Sequence, residues 1–188
     1  MGQHTPLPRW TAFRAVVLCV VTTARLLIHR RIHLRRDRVG NRLRFANGTS
    51  ARIYRETAVE NAPDADACVL FVAFRLRAVR GPGHTVFRWE SILNTPLFVG
   101  FPGFVSKLWL SHDENGVYRG LYEWDGAQSA DRYARSLWRV LNLVCVRGSI
   151  HYIVIPGLHR DSVIEHPHVL HDIDPDDPTP WWRLVQTP

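Results

Sequence analysis

Lys107 is the only lysine in a chain with 24 lysine and arginine residues, and it stands in the apolar run Phe104-Val105-Ser106-Lys107-Leu108-Trp109-Leu110. A compact, titratable ammonium kept in an arginine-rich chain points to a position where a guanidinium does not serve. The plain alternative is a lysine on the wet face of a half-buried strand. Strand alternation puts Val105, Lys107 and Trp109 on one side and Phe104, Ser106, Leu108 and Leu110 on the other. On the next apolar run Tyr118, Gly120, Tyr122 and Trp124 share a side, opposite Val117, Arg119, Leu121 and Glu123. If helices cover Phe104, Leu108, Leu110 and Leu121, the other sheet face gathers Lys107, Trp109, Tyr118, Tyr122 and Trp124. The last strand adds either His151 and Ile153 or Tyr152 and Val154. His151 is favoured, because Tyr152 beside Ile150 and Val154 makes the better helix-packing face. An aromatic enclosure with a few convergent polar groups suits a hydrophobic small molecule. Within it Lys107 could hold an enolate or phenolate by charge, or act as a base once burial depresses its pKa. His151 is the other candidate base. Tyr122 or Tyr118 could orient a substrate oxygen, and Trp109, Tyr118 and Trp124 would line the substrate. Each aromatic taken alone is better explained by core or dimer packing, and only the coincidence with Lys107 favours a site.

These residues need a sheet to align them. Val69 to Leu76 reads as a strand stopped by Arg80-Gly81-Pro82-Gly83, and Val86 to Leu97 carries helical spacing through Phe87, Ile92 and Leu93. Phe104 to Ser111 and Val117 to Trp124 flank the polar turn His112-Asp113-Glu114-Asn115-Gly116 as an antiparallel hairpin. Asp125 is placed to cap a helix from Gln128 to Leu143, and Gly148 opens a last strand, Ile150 to Ile155. Strand, helix, strand, strand, helix, strand is the split-βαβ order of a ferredoxin-like α+β fold, with both helices on one face of an antiparallel sheet. Aromatic residues on both faces would leave a large apolar patch, which pairing two sheets across a two-fold axis would cover. A homodimer is therefore expected, with residues 67–158 sufficient for it.

Pro102-Gly103-Phe104, Lys107-Leu108-Trp109, Gly120-Leu121-Tyr122-Glu123-Trp124-Asp125 and Ser129-Ala130-Asp131-Arg132-Tyr133 resemble the YdhR-like monooxygenases, which belong to the dimeric α+β barrels grouped with the antibiotic-biosynthesis monooxygenases. The resemblance covers residues 67–158. It implies a cofactor-independent monooxygenase, or a related cyclase or isomerase, acting on a hydrophobic aromatic or polyketide-like molecule. Deprotonating an electron-rich aromatic would let it react directly with oxygen. The competing expectation is a non-enzymatic module that binds a lipidic ligand or a membrane protein.

Outside that stretch the chain divides into an arm (1–40), a hairpin and linker (41–66) and an acidic, proline-rich tail (159–188). At 188 residues and 46% hydrophobic content one core is affordable and a second full domain would be cramped. Residues 10–29 read as an amphipathic helix, with Phe13, Val16, Val17, Val20, Val21, Ala24, Leu27 and Ile28 on one side and Arg14, Thr22, Arg25 and His29 on the other. The basic run from His29 to Arg38 follows at once, so the arm is expected to sit peripherally on anionic lipid at the inner face of the membrane, the alternative being a helix packed on its own domain or a second subunit with its arginines solvated. Its uncharged stretch is shorter than a bilayer span. Nucleic acid is disfavoured as a partner, because aromatic residues do not interleave the basic run. Asn47-Gly48 marks a hairpin turn between residues 43 and 54. Cys19, Cys68 and Cys145 are odd in number, far apart and set in apolar runs, which fits a reducing cytoplasm and gives no thiolate metal site. His166, His168, His171 and Asp172 lie in a tail read as irregular and solvated, so no metal is assigned, and no cofactor either.

Overall fold

The computed structural model describes residues 8–60, 62, 65–77, 95, 98–174 and 180–185. In chain order the elements are helix α1 (Arg9–Ile28), strands β1 (Ile32–His33), β2 (Arg42–Phe45), β3 (Ser50–Val59), β4 (Ala67–Arg75), β5 (Phe104–Leu110) and β6 (Val117–Asp125), helix α2 (Ala127–Val144), strand β7 (His151–Pro156), a short helix α3 (Arg160–Glu165), a 3-10 turn (Pro167–Leu170) and strand β8 (Leu184–Val185). The four strands β4 to β7 lie in the spatial order β7-β4-β6-β5, every neighbouring pair antiparallel. This is the strand order of the ferredoxin-like α+β fold. The helix expected over 86–97 falls, apart from Thr95, outside the described residues.

The hairpin at Asn47-Gly48 forms between β2 and β3. It is no separate unit, because β3 pairs antiparallel with β5 and carries the sheet onward to β2 and β8. Asp125, expected to cap α2, instead accepts a hydrogen bond from the Asp66 amide at 2.9 Å, and Gly126 takes the cap position.

Two cores sandwich the sheet. On one face, Cys68, Leu70, Val72, Phe104, Trp109, Tyr122, Trp124 and Tyr152 pack against Ala130, Tyr133 and Ala134 of α2 and against Phe98, Val99 and Phe101. On the other, Val69, Phe71, Ala73, Leu108, Leu110, Leu121 and Ile155 meet Val163, Leu170, Trp181, Trp182 and Leu184. Helices α1 and α2 therefore cover the aromatic set, while the aliphatic set meets only the short α3 and the C-terminal residues, so the set under α2 is the reverse of the sequence expectation. The physical reason is volume matching: small Ala130 and Ala134 leave room for bulky sheet aromatics, while two C-terminal indoles fill the space over the smaller aliphatic side chains. A bulge between Phe104 and Ser106 shifts the alternation, so Phe104 joins Trp109 and Lys107 on the helix face.

The C-terminal segment is likewise not an irregular solvated tail. Arg160, almost fully buried, donates to Glu56 at 2.8 Å, and Arg119 donates to Asp113 at 2.7 Å, to the Trp181 carbonyl at 3.1 Å and to Thr49 at 3.0 Å. The sheet face opposite α2 is thus covered by the chain's own Val163, Leu170, Trp181, Trp182 and Leu184, and pairing that face across a two-fold axis would require displacing them.

Helix α1 docks through Ala15, Cys19 and Leu26, which pack on the aromatic core, with Thr23 buried beside them. Its closest approach is at Gly100, where an added Cβ would collide with the Cys19 carbonyl and lie 2.8 Å from the Thr23 amide nitrogen. Gly100→Ala is expected to cost about 1–3 kcal/mol through this overpacking, read as an earlier urea midpoint; an unchanged midpoint would show that α1 does not hold this position.

Candidate functional site

Lys107 faces the helix side of the sheet, opposite Tyr122 on β6 and Thr57 on β3. Its Nζ sits 3.2 Å from the ring centroid of Trp109, 4.5 Å from that of Phe98 and 4.6 Å from that of Tyr122. Residue spacing explains two of these contacts: Trp109 is two positions along the same strand, and Tyr122 is the cross-strand partner. The rings are themselves fixed. Trp109 donates its indole N–H to Thr57 Oγ1 at 3.3 Å and meets Phe98 edge-on at 5.3 Å. Tyr133 on α2 donates to the Tyr122 hydroxyl at 3.2 Å. Tyr122 lies back over Gly120, where a Cβ would come within 2.6 Å of its ring, so only glycine admits this ring position.

The electrostatics are unusual for a core. Among the described residues no carboxylate pairs with Lys107, and the Arg55 guanidinium lies over the same indole at 5.2 Å while donating to Thr95 Oγ1 at 2.7 Å. Burial, reinforced by the Arg55 charge, holds the Lys107 amine well below the usual lysine range. The aromatic faces give back part of that cost as cation–π attraction. Burial also pushes the Tyr122 and Tyr133 hydroxyls well above the usual tyrosine range, so both are neutral donors. Next along the face, Trp124 packs 4.8 Å from Tyr133, and its buried indole N–H meets no acceptor among the described residues. The site thus combines a low-pKa amine, a hydroxyl pair and an unused N–H donor within an aromatic wall.

Of the residues singled out from sequence, the structure brings together Lys107, Trp109 and Tyr122, with Trp124 beyond Tyr133. It separates two others. Tyr118 is buried at the far end of β6 with Leu76, Cys145 and Ile150, stacked on Phe74 at 5.9 Å; four residues from Tyr122 corresponds to about 13 Å of strand. His151 is exposed on the opposite sheet face, its ring 6.0 Å from that of Trp181. Tyr152 does take the helix-packing position and donates to Asp131 at 2.9 Å, but Lys107 takes that face too, so the histidine and the lysine do not converge. Arg55, Phe98, Thr57 and Tyr133 complete the Lys107 surroundings. Only a β3–β5 register would have revealed Arg55 and Thr57.

The opposite face carries a second polar group. Glu123 lies 3.0 Å from His159 Nδ1 and accepts from Ser106 at 3.3 Å, next to the Arg160–Glu56 pair. Its visible work is to fasten the segment containing α3 to the sheet.

No family model and no curated protein sequence matches the chain. Solved structures similar to it include the following three. An uncharacterized ferredoxin-fold protein of Listeria monocytogenes related to antibiotic biosynthesis monooxygenases is 14% identical with a TM-score of 0.42, over 60% of this chain and 66% of that one. A monooxygenase-like protein of Listeria innocua is 15% identical with a TM-score of 0.40, over 61% and 69%. An anthrone oxidase-like protein is 14% identical with a TM-score of 0.38, over 59% and 55%. The match spans less than two thirds of the first and third of these proteins.

Proposed function

We propose that the chain is a monooxygenase-like protein that binds a hydrophobic aromatic or polyketide-like molecule at Lys107 and oxygenates it without a cofactor, or carries out a related cyclisation or isomerisation. The observation that carries this reading is the Lys107 amine, enclosed by Trp109, Phe98 and Tyr122 with no carboxylate partner among the described residues. A buried cation is costly unless opposed by charge, and its persistence is accounted for where its charge or basicity is used. An acidic phenol or enol uses both. Nζ takes the hydroxyl proton, and the ammonium so formed holds the resulting anion, while the flanking rings stack on its apolar body. The electron-rich anion is then the species that reacts with dioxygen. This reading puts the protein in the cytoplasm, where three buried cysteines that form no disulfide are at home, held peripherally at the inner face of the membrane.

Oxygen consumption with anthrone, an enolisable aromatic ketone, together with mass spectrometry of any ligand retained through purification, tests the proposal. Lys107→Arg should keep retention and lose turnover, because a guanidinium keeps the charge but cannot act as the base. Lys107→Met should lose both. Equal ligand retention by the natural chain and Lys107→Met would overturn the assignment.

A further inference from the structure

Helix α1 has two apolar sides, and only one is used. The docked stripe is Ala15, Cys19, Thr23 and Leu26. Half a turn away, Trp10, Phe13, Val17, Val21 and Ile28 recur at three-, four- and seven-residue spacing, all exposed, with Trp10 at 69%, Phe13 at 59% and Ile28 at 77%. Val20 and Leu27 widen this outward stripe on one flank, and Arg14 and Arg25, both exposed, border it on the other. The helix carries no acidic residue. Past its end Arg30, Arg35 and Arg36 are exposed as well, whereas Arg38 turns inward to Asp161 and Glu165.

We infer that this outward face of α1 is a docking surface for an anionic lipid bilayer, on which the helix lies in the plane of the head groups while its opposite side stays fixed to the body. Three features select this occupant. An aromatic pair at one end, Trp10 and Phe13 stacked at 5.9 Å, has the amphipathic character that settles at the membrane interface. Arginines beside an apolar stripe place their stems along the hydrocarbon and their heads among phosphates. A second copy is the competing occupant. Pairing two such helices would bring Arg14 and Arg25 of one against arginines of the other, with no carboxylate on either helix to oppose them. No helix among the described residues is long and apolar enough to cross a membrane, so the contact lies on the bilayer and does not span it. The inference rests on the surface of α1 and stands independently of the chemistry at Lys107.

The test is flotation of the full chain with vesicles of phosphatidylcholine alone or mixed with phosphatidylglycerol. Binding is expected to the mixed vesicles and to weaken as salt screens the arginines. Trp10→Ser with Phe13→Ser should cut the bound fraction about tenfold or more while leaving the urea midpoint unchanged, because both side chains face solvent. Arg14→Gln with Arg25→Gln should cut it several-fold. Failure of the natural chain to float with phosphatidylglycerol vesicles at low salt would overturn the inference. So would floating that survives Trp10→Ser with Phe13→Ser, or a dimer seen by sedimentation that this double variant dissolves while vesicles bind nothing.

Discussion

Lys107→Met is expected to give a protein more stable than the natural chain at neutral pH and unable to retain ligand. Two opposing effects set the sign. Methionine gives up the amine's cation–π attraction to Trp109, Phe98 and Tyr122, worth roughly 0.5–2 kcal/mol, but fills the same space without a charge to desolvate. Burial is the larger cause of the depressed lysine pKa, and each tenfold bias against the charged form amounts to about 1.4 kcal/mol. The Arg55 charge acts in the same direction and no carboxylate among the described residues opposes it, so removing the charge is the expected larger effect. Linkage fixes the pH dependence. Because the folded pKa lies below the ordinary value of 10.5, the unfolded chain binds more protons in the window between the two. Stability from this group is full above 10.5 and is lost as pH falls through the lowered folded value. Lys107→Met removes that slope. The neutral tyrosines act oppositely: with Tyr122 and Tyr133 raised above 10, stability falls at pH above 10 in both proteins. Urea titrations from neutral to pH 10 check this. A natural chain more stable than Lys107→Met at neutral pH, or a pH-independent difference between them, would show that the lysine is held charged by a partner and acts as a structural ion.

The four central strands and α2 were legible because their periodicities hold over most of their length, and the order of elements then leaves few topologies. The choice of sheet face was not. Trp109, Tyr122 and Trp124 on one side and Leu108, Leu110 and Leu121 on the other are both apolar, so hydrophobicity cannot say which set meets a helix. The decision comes from Trp181 and Trp182, whose acidic, proline-rich surroundings hide a packing role. The same ambiguity displaced His151: the preference for Tyr152 on the helix face was sound, yet it implied that a lysine sharing that face could not meet the histidine. Alternation failed at Phe104, where a one-residue bulge reverses the phase. In α1 the spacing showed one hydrophobic stripe and no second, narrower one by which the helix could dock. The helix instead docks by smaller residues, since close approach to Gly100 rewards Ala15, Cys19 and Thr23 over valine and phenylalanine.

Trp182→Ala is expected to cost about 3–5 kcal/mol, a large share of the roughly 5–15 kcal/mol available to a domain. Trp182 is fully buried, tilted against Phe71 at 6.2 Å, in the core that also holds Leu108, Leu121 and Leu184. Little can collapse into the void, because a paired sheet lies beneath it. Removing residues 159–188 carries the same argument further. It withdraws Val163, Leu170, Trp181 and Trp182 together, deprives buried Glu56 of Arg160 and Arg119 of the Trp181 carbonyl, and leaves the aliphatic face in water. Such a patch seeks a partner. The truncated chain should self-associate in sedimentation experiments at concentrations where the full chain does not use this face. That outcome would identify the C-terminal segment as the covering a second sheet would otherwise supply. A truncated chain that stays monomeric with an unchanged urea midpoint would mean that Trp181 and Trp182 do not seal the sheet, and would restore a two-fold sheet pairing as the way this face is closed.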